Sequence, residues 1–217
     1  MGPLGRVSLL KAEFFNRDPR RVARALLGKL VVRRTPSGIL AGRIVETEAY
    51  LGQGDAAAHT AAGRTARNSV LFGPPGHSYV YFIYGNYYCL NVSCLPDGTP
   101  GGVLFRALEP VAGIEQMAAA RGIAVPEQAM RANARKDISF LKKISSGPGR
   151  LSEALEITRQ RDNGKSLVSA RSDLRIVDDA YHVRRVEVTP RIGIVKSAGR
   201  PLRYFIAGNP FVSGNRA

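Results

Sequence analysis

The 217-residue chain is poor in the residues that build metal sites and disulfide frameworks: it has two cysteines, three histidines and no tryptophan. Cys89 and Cys94 lie five apart, so on one strand they would point to opposite faces. That spacing argues against a disulfide and for two buried free thiols, which suit a reducing cytoplasm. Two cysteines and scattered histidines also fall short of a four-ligand zinc site. Neither a metal nor a cofactor is expected. No apolar run reaches the roughly 18 residues that span a bilayer, so no membrane partner is expected. The start, MGPLGRVSLL, lacks the charged segment, apolar stretch and small-residue cleavage site of a secretion signal. A cytoplasmic location follows, at the nucleoid if the source is prokaryotic. Acidic residues are scarce as well: 17 Asp and Glu face 32 Lys and Arg, a net charge of +15.

The length suits a single domain over residues 1–217, and a hydrophobic content of 44% is enough for a core. The 23 glycines and 13 prolines predict many turns. Residues 8–16 and 18–28 read as helices, the second capped by Asp18, opened by Pro19 and stopped at Gly28. KLVVRR and ILAGRIVETEAY flank the turn TPSG and predict an antiparallel pair. Residues 51–76 read as a long ordered loop, a kind of segment that usually serves function. HSYVYFIYGNYYCLNVSCL reads as a protruding β-hairpin with its tip at Gly85-Asn86. GVLFRAL predicts a strand, residues 110–121 a helix opened by proline, residues 126–144 a basic helix, and residues 146–155 a turn and short helix. A polar loop over 160–175 precedes strands in RIVD, RRVEVTPRIGIV and LRYFIAG. Strands and helices mix without βαβ regularity. The expected fold class is α+β: one domain with a mainly antiparallel mixed sheet and surrounding helices.

The basic residues do not form one tail. They recur at Arg17, Arg20, Arg21 and Arg24, at Arg131, Arg135 and Lys136, at Lys142 and Lys143, at Arg184, Arg185 and Arg191, and at Arg200, Arg203 and Arg216. A folded face for a phosphate polymer and a merely solvated surface both fit this distribution. Five of the eight tyrosines, Tyr79, Tyr81, Tyr84, Tyr87 and Tyr88, crowd the hairpin. They suit amphipathic packing, or a surface on which bases stack. Strand alternation puts Glu46, Glu48 and Tyr50 on one face. Two carboxylates there read first as a solvated edge and only second as a functional face. In combination these features are more specific: a hairpin can wedge into a groove, and a flipped base needs aromatic walls and a hydrolytic group.

RIVETEAYLGQGDAAAHT, YVYFIYGNYYCLNVS, GGVLFRALEP, SGPGRL and RPLRYFIAGNPFVS stand in the same order as the motifs of a known family. Over residues 8–213 the chain resembles the alkyladenine (3-methyladenine) DNA glycosylases. The resemblance implies a DNA-repair hydrolase. It would flip alkylated or deaminated purines, of the 3-methyladenine and hypoxanthine type, out of double-stranded DNA and leave an abasic site. In that reading Glu48 is the general base and Arg106 helps hold the nucleophilic water. Tyr50 and Tyr81 are the walls around the extruded base, and His59 lines the same pocket. Asn91 obstructs the 2-amino group of normal guanine. Tyr84 fills the gap left in the duplex, and a monomer suits the mechanism.

Chemistry agrees with these roles. A carboxylate near the sugar C1′ stabilises an oxocarbenium-like transition state and accepts a proton from water. Alkylation at N3 or N7 makes the base a cation, which leaves more easily and is attracted to aromatic faces. The matched motifs hold no lysine or N-terminal amine, so hydrolysis without strand cleavage is expected. A binding module without catalysis, and a sugar hydrolase using Glu46 and Glu48 as a pair, are the competing readings. The human member of the family has an apolar residue at the position of Asn86, so the hairpin tip differs here. A two-residue hairpin loop sets Tyr81 opposite Leu90, whereas a three-residue loop sets it opposite Asn91. The second joins two pocket residues and is favoured on that ground.

Overall fold

The computed structural model describes residues 4–83, 85–126 and 137–214. Tyr84, Arg131, Arg135, Lys136 and Arg216 lie outside the described residues. Nine strands form one open sheet, and every strand pair among the described residues is antiparallel. The strands are β1 (Ser8–Leu9), β2 (Leu30–Thr35), β3 (Gly38–Tyr50), β4 (Ser78–Ile83), β5 (Tyr87–Ser93), β6 (Gly102–Ala112), β7 (Leu174–Asp178), β8 (Val186–Thr189) and β9 (Arg203–Ile206). Their order is β1-β7-β2-β3-β6-β5-β4, with β9 on the far half of β3 and β8 beside β9. Six α-helices surround the sheet among the described residues: α1 (Ala12–Phe15), α2 (Pro19–Leu26), α3 (Ile114–Ala120), α4 (Ile138–Ser145), α5 (Pro148–Ala154) and α6 (Arg159–Asp162). This is the α+β class. No helix among the described residues is long and apolar enough to cross a membrane.

The centre of the fold is β3. Its first half pairs with β2, its second half with β9, and its other edge with β6. Both faces are covered, so a nearly continuous run from Leu40 to Ala49 is buried. Leu40 and Ile44 join the main core, where Val22, Ala23 and Leu26 of α2 also pack. Ala41, by alternation, joins a smaller cluster with Leu30, Val32 and Val177 on the opposite face.

Two compensating β-bulges then change which residues face which way. Ile44 pairs with Leu108 and Glu46 with Ala107, so Val45 is the extra residue on β3. Thr47 pairs with Phe105, so Arg106 is the extra residue on β6. Each bulge adds one residue and shifts the alternation by one position. Beyond them Val45 and Ala49 face the main core, and Thr47 donates from its hydroxyl to the Ala23 carbonyl of α2 at 3.0 Å. Glu46, Glu48 and Tyr50 therefore face away from that core.

The start of the chain differs from expectation. Ser8–Leu9 is a short strand on β7, and helix begins only at Ala12. The second helix forms as read: the Asp18 side chain accepts from the Arg20 N–H at 2.8 Å and Pro19 opens it. The helix expected from Pro110 starts later, because β6 continues to Ala112 and Gly113, at φ 71°, makes the turn into α3. Pro110 is tolerated at a position where the register of β6 shifts. The loop expected over 160–175 contains the end of α6 and the start of β7. Of RRVEVTPRIGIV only Val186–Thr189 is strand, which Pro190 follows.

The hairpin has neither register set out above. Tyr81 lies opposite Cys89, and Asn91 opposite Tyr79. The Asn86 N–H donates to the Ile83 carbonyl and Gly85 sits at φ 74°, so Ile83–Tyr87 is the last pair. A left-handed residue inside the turn is what glycine supplies. Tyr81 and Asn91 still share a face, as diagonal rather than direct neighbours.

Gly52 couples the end of β3 to the loop that precedes β6. It sits at φ 85°, and a Cβ there would stand 2.2 Å from the Pro100 carbonyl oxygen. Gly52→Ala should lower stability by about 3 kcal/mol, from backbone strain plus a forced displacement. Urea unfolding measures this, and an unchanged midpoint would show that the loop yields freely.

Candidate active site

A cavity of about 560 Å³ opens on the face of the sheet turned away from the main core. Its wall combines Glu48 and Tyr50 of β3, Leu104 and Arg106 of β6, Tyr79, Tyr81 and Ile83 of β4, and Cys89 and Asn91 of β5. Ala57–Thr60, Leu71, Gly102, Pro148 and Ile192–Ile194 complete it. Six of the seven residues singled out from the sequence, Glu48, Tyr50, His59, Tyr81, Asn91 and Arg106, thus meet in one space. The seventh, Tyr84, is outside the described residues.

Glu48 is fully buried within the fold and its carboxylate is held from three directions. Oε1 accepts from the Ile192 backbone N–H at 2.8 Å and faces Arg106 Nη1 at 3.1 Å. Oε2 accepts from the Tyr50 hydroxyl at 2.9 Å. Burial, and then the negative charge of Glu48, push the Tyr50 phenol well above its ordinary pKa. It therefore remains a donor. Burial disfavours the Arg106 charge, but Glu48 and Glu46 outweigh it and raise its pKa.

Glu46 has no solvated edge; it is fully buried and stands behind this pair. Its Oε1 meets Arg106 Nε at 2.9 Å and Arg203 Nε at 2.6 Å, and its Oε2 accepts from the Ser213 N–H at 2.6 Å. Both oxygens are committed to partners and Glu46 does not line the cavity. A pair of carboxylates acting on a sugar polymer has no support in this arrangement. Two arginines from the expected basic surface, Arg191 and Arg203, are buried and belong to the site's framework instead.

The opposite wall is aromatic. His59 Nδ1 and the Tyr79 hydroxyl are 2.8 Å apart, and the Asn68 amide donates to the His59 carbonyl at 2.8 Å. The His59 ring stands 4.5 Å from Tyr81, edge to face. Burial, and then the charge of Arg67, lower the His59 pKa, which keeps the imidazole neutral at pH 7. The Asn91 amide donates to the Tyr79 carbonyl at 3.1 Å across the β4–β5 pair. Cys89 lines the wall as a thiol, its pKa pushed up to about 11 by burial. Cys94 is wholly buried and likewise raised, and both cysteines are free. Among the described residues no three or more His, Cys, Asp and Glu side chains gather as metal ligands do.

Sequence reasoning missed Tyr79, Leu104, Cys89 and Ile192 as site residues. Tyr79 and Cys89 had a signal, since each lies two residues from a selected one on the same strand face. Leu104 bears the same relation to Arg106. Ile192 had none, because it contributes a backbone N–H from a segment 144 residues away.

The family model described as methylpurine-DNA glycosylase matches residues 13–210. A protein of Koribacter versatilis named "Putative 3-methyladenine DNA glycosylase" is 63% identical over 213 residues, covering 98% of this chain and 97% of that protein. Proteins of the same name from Methanocella arvoryzae and Bacillus cereus are 45% and 42% identical, each covered to 96% of its length.

Glu46 is the common partner of two buried arginines. Glu46→Ala should cost about 3–5 kcal/mol of stability, because it leaves Arg203 without its counter-charge and Arg106 with Glu48 alone. Denaturant unfolding reads this loss, and one below about 1 kcal/mol would show that the arginines find other partners.

Proposed function

The chain belongs to the methylpurine-DNA glycosylase family, whose members are DNA-repair hydrolases of N-glycosyl bonds, and we propose that it excises 3-methyladenine and hypoxanthine-type purines from duplex DNA. The observation that carries the residue assignment is the Glu48 carboxylate at the cavity wall. Arg106, the Ile192 N–H and the Tyr50 hydroxyl fix its position.

A cavity of about 560 Å³ is of the size that encloses a small planar ligand. The damaged base leaves the stack and enters between Tyr50 and Tyr81. Stacking on an aromatic contributes about 1–3 kcal/mol per base, and an alkylated, cationic base gains further attraction to the ring faces. A neutral His59 adds no positive charge to oppose it. Asn91, whose amide donates to the Tyr79 carbonyl, obstructs the 2-amino group of undamaged guanine in this reading. Tyr84, from its place in the sequence between β4 and β5, fills the gap in the duplex.

In the reaction a water between Glu48 and the sugar attacks C1′ as the base departs. Glu48 accepts the water's proton, and its negative charge stabilises the oxocarbenium-like sugar. Arg106 holds that water and keeps the carboxylate aimed. Among the described residues the cavity lining contains no lysine. Hydrolysis alone, ending at an intact abasic site, is the expected reaction.

Glu48→Gln should lower single-turnover base release by about 10²–10⁴-fold while binding to lesion-bearing duplex persists. The measurement is free base released from duplexes containing hypoxanthine or 3-methyladenine; a near-normal rate would remove Glu48 from the role of base. In the same assay, duplex affinity of the wild type should fall steeply as salt rises, since phosphate contacts release counterions. Affinity that ignores salt would contradict a basic DNA-binding face.

A further inference from the structure

Behind the Tyr50 ring, on the side away from the cavity, lies a second buried ion pair. The Arg191 guanidinium sits 4.5 Å from the ring centroid, yet Arg191 does not line the cavity that Tyr50 faces. Its two terminal nitrogens meet the two oxygens of Asp55 at 2.5 and 2.7 Å, and both side chains have no exposure at all. One of them also donates to the Ala49 carbonyl at 2.9 Å. Asp55 is anchored in turn by the Leu51 and Ala57 backbone N–H groups, at 3.2 and 3.3 Å. Burial alone would raise the Asp55 pKa, but Arg191 and these N–H groups hold it below the ordinary range. The pair is therefore an ionised, neutralised unit placed against the back of one wall.

A cation behind an aromatic ring matters for what stacks in front of it. An unopposed guanidinium there repels a cationic base entering the pocket. It also stabilises the negative charge that collects on a neutral base as its glycosidic bond breaks. Both effects favour neutral lesions over cationic ones. From these contacts we propose that the Asp55–Arg191 pair sets the balance between cationic and neutral lesions, Asp55 cancelling the Arg191 charge so that Tyr50 accepts an alkylated, positively charged purine. This rests on the base-excision reading above and assigns specificity to two residues that touch neither base nor water. Arg191 still has a positional part: it supports the Tyr50 ring and immediately precedes Ile192, whose N–H holds Glu48.

The test compares two lesions in one preparation of each variant: 7-methylguanine, a cation, and hypoxanthine, neutral at pH 7, each in the same duplex. The quantity read is the ratio of their kcat/KM values, in which the fraction of folded enzyme cancels. At an effective dielectric of about 20, a unit charge about 8 Å away shifts an equilibrium by up to roughly 30-fold, and solvent around the DNA reduces this. Asp55→Asn should lower the ratio of cationic to neutral excision about tenfold. Arg191→Gln, which leaves the Asp55 charge behind the ring, should move the ratio the opposite way. A purely structural pair would slow both lesions alike and leave both ratios unchanged, which would overturn the proposal. If one variant fails to fold, the sign of the other still decides. A wild-type enzyme that releases neither base refutes the excision reading itself; one that releases both, with ratios unmoved in the variants, refutes this inference alone.

Discussion

The candidate site depends on one buried carboxylate that does not line the cavity. Glu46 gathers Arg106 from β6, Arg203 from β9 and the backbone near the end of the described chain, at Ser213. A carboxylate buried in this way is stable only if its lone pairs are met, and here each oxygen has a partner. The result is that three separate segments are referenced to one point on β3. Arg106 inherits its position from that point and passes it to Glu48. The position of Glu48 is thus set from behind, by a residue outside the cavity lining.

The two bulges explain why both acids lie on the cavity side of the sheet and why Glu48 reaches the cavity. Without them, the alternation that sends Leu40 and Ile44 into the core would send Glu46 and Glu48 there as well, beneath α2. An extra residue at Val45 turns β3 over, and an extra residue at Arg106 turns β6 with it, so the register recovers by Thr47–Phe105. The sheet remains continuous on both sides of the irregularity. Bulges commonly re-aim side chains beside functional sites, and here the bulged residue on β6 is itself a site residue.

Much of this was legible in the sequence because it is local. The Asp18–Pro19 helix start, the TPSG turn and the strand run around ETEAY each follow from side chains within a few positions. The placement of Glu46, Glu48 and Tyr50 on one face followed from alternation, although alternation could not say whether that face was wet or buried. The hairpin register escaped because it depends on which residue of the turn takes the left-handed conformation, and Gly85 alone permits more than one answer. The burial of Arg191 and Arg203 escaped for a different reason. Their partners, Asp55 and Glu46, lie 136 and 157 residues away, and no pattern near either arginine records that pairing. Counting them as surface charge overstated the basic face by two.

The hairpin is an edge element, yet its outer strand is fastened at one end. At the base of β4 the Ser78 N–H donates to the Lys165 carbonyl, the Val80 N–H to the Asn163 side chain, and His77 bridges to Ser166. Further out, Phe82 is about half exposed, beside Tyr88. The hairpin is clamped where β4 begins and supported along its inner strand, where Tyr88 packs on the main core and Tyr87 lies against Gly149 of α5. Load applied at the turn is shared between the clamp, next to α6, and this support. The aromatic wall of the cavity, Tyr79 and Tyr81, occupies the stretch between clamp and tip. A force at the turn is therefore carried through the same strand that forms the cavity's aromatic wall.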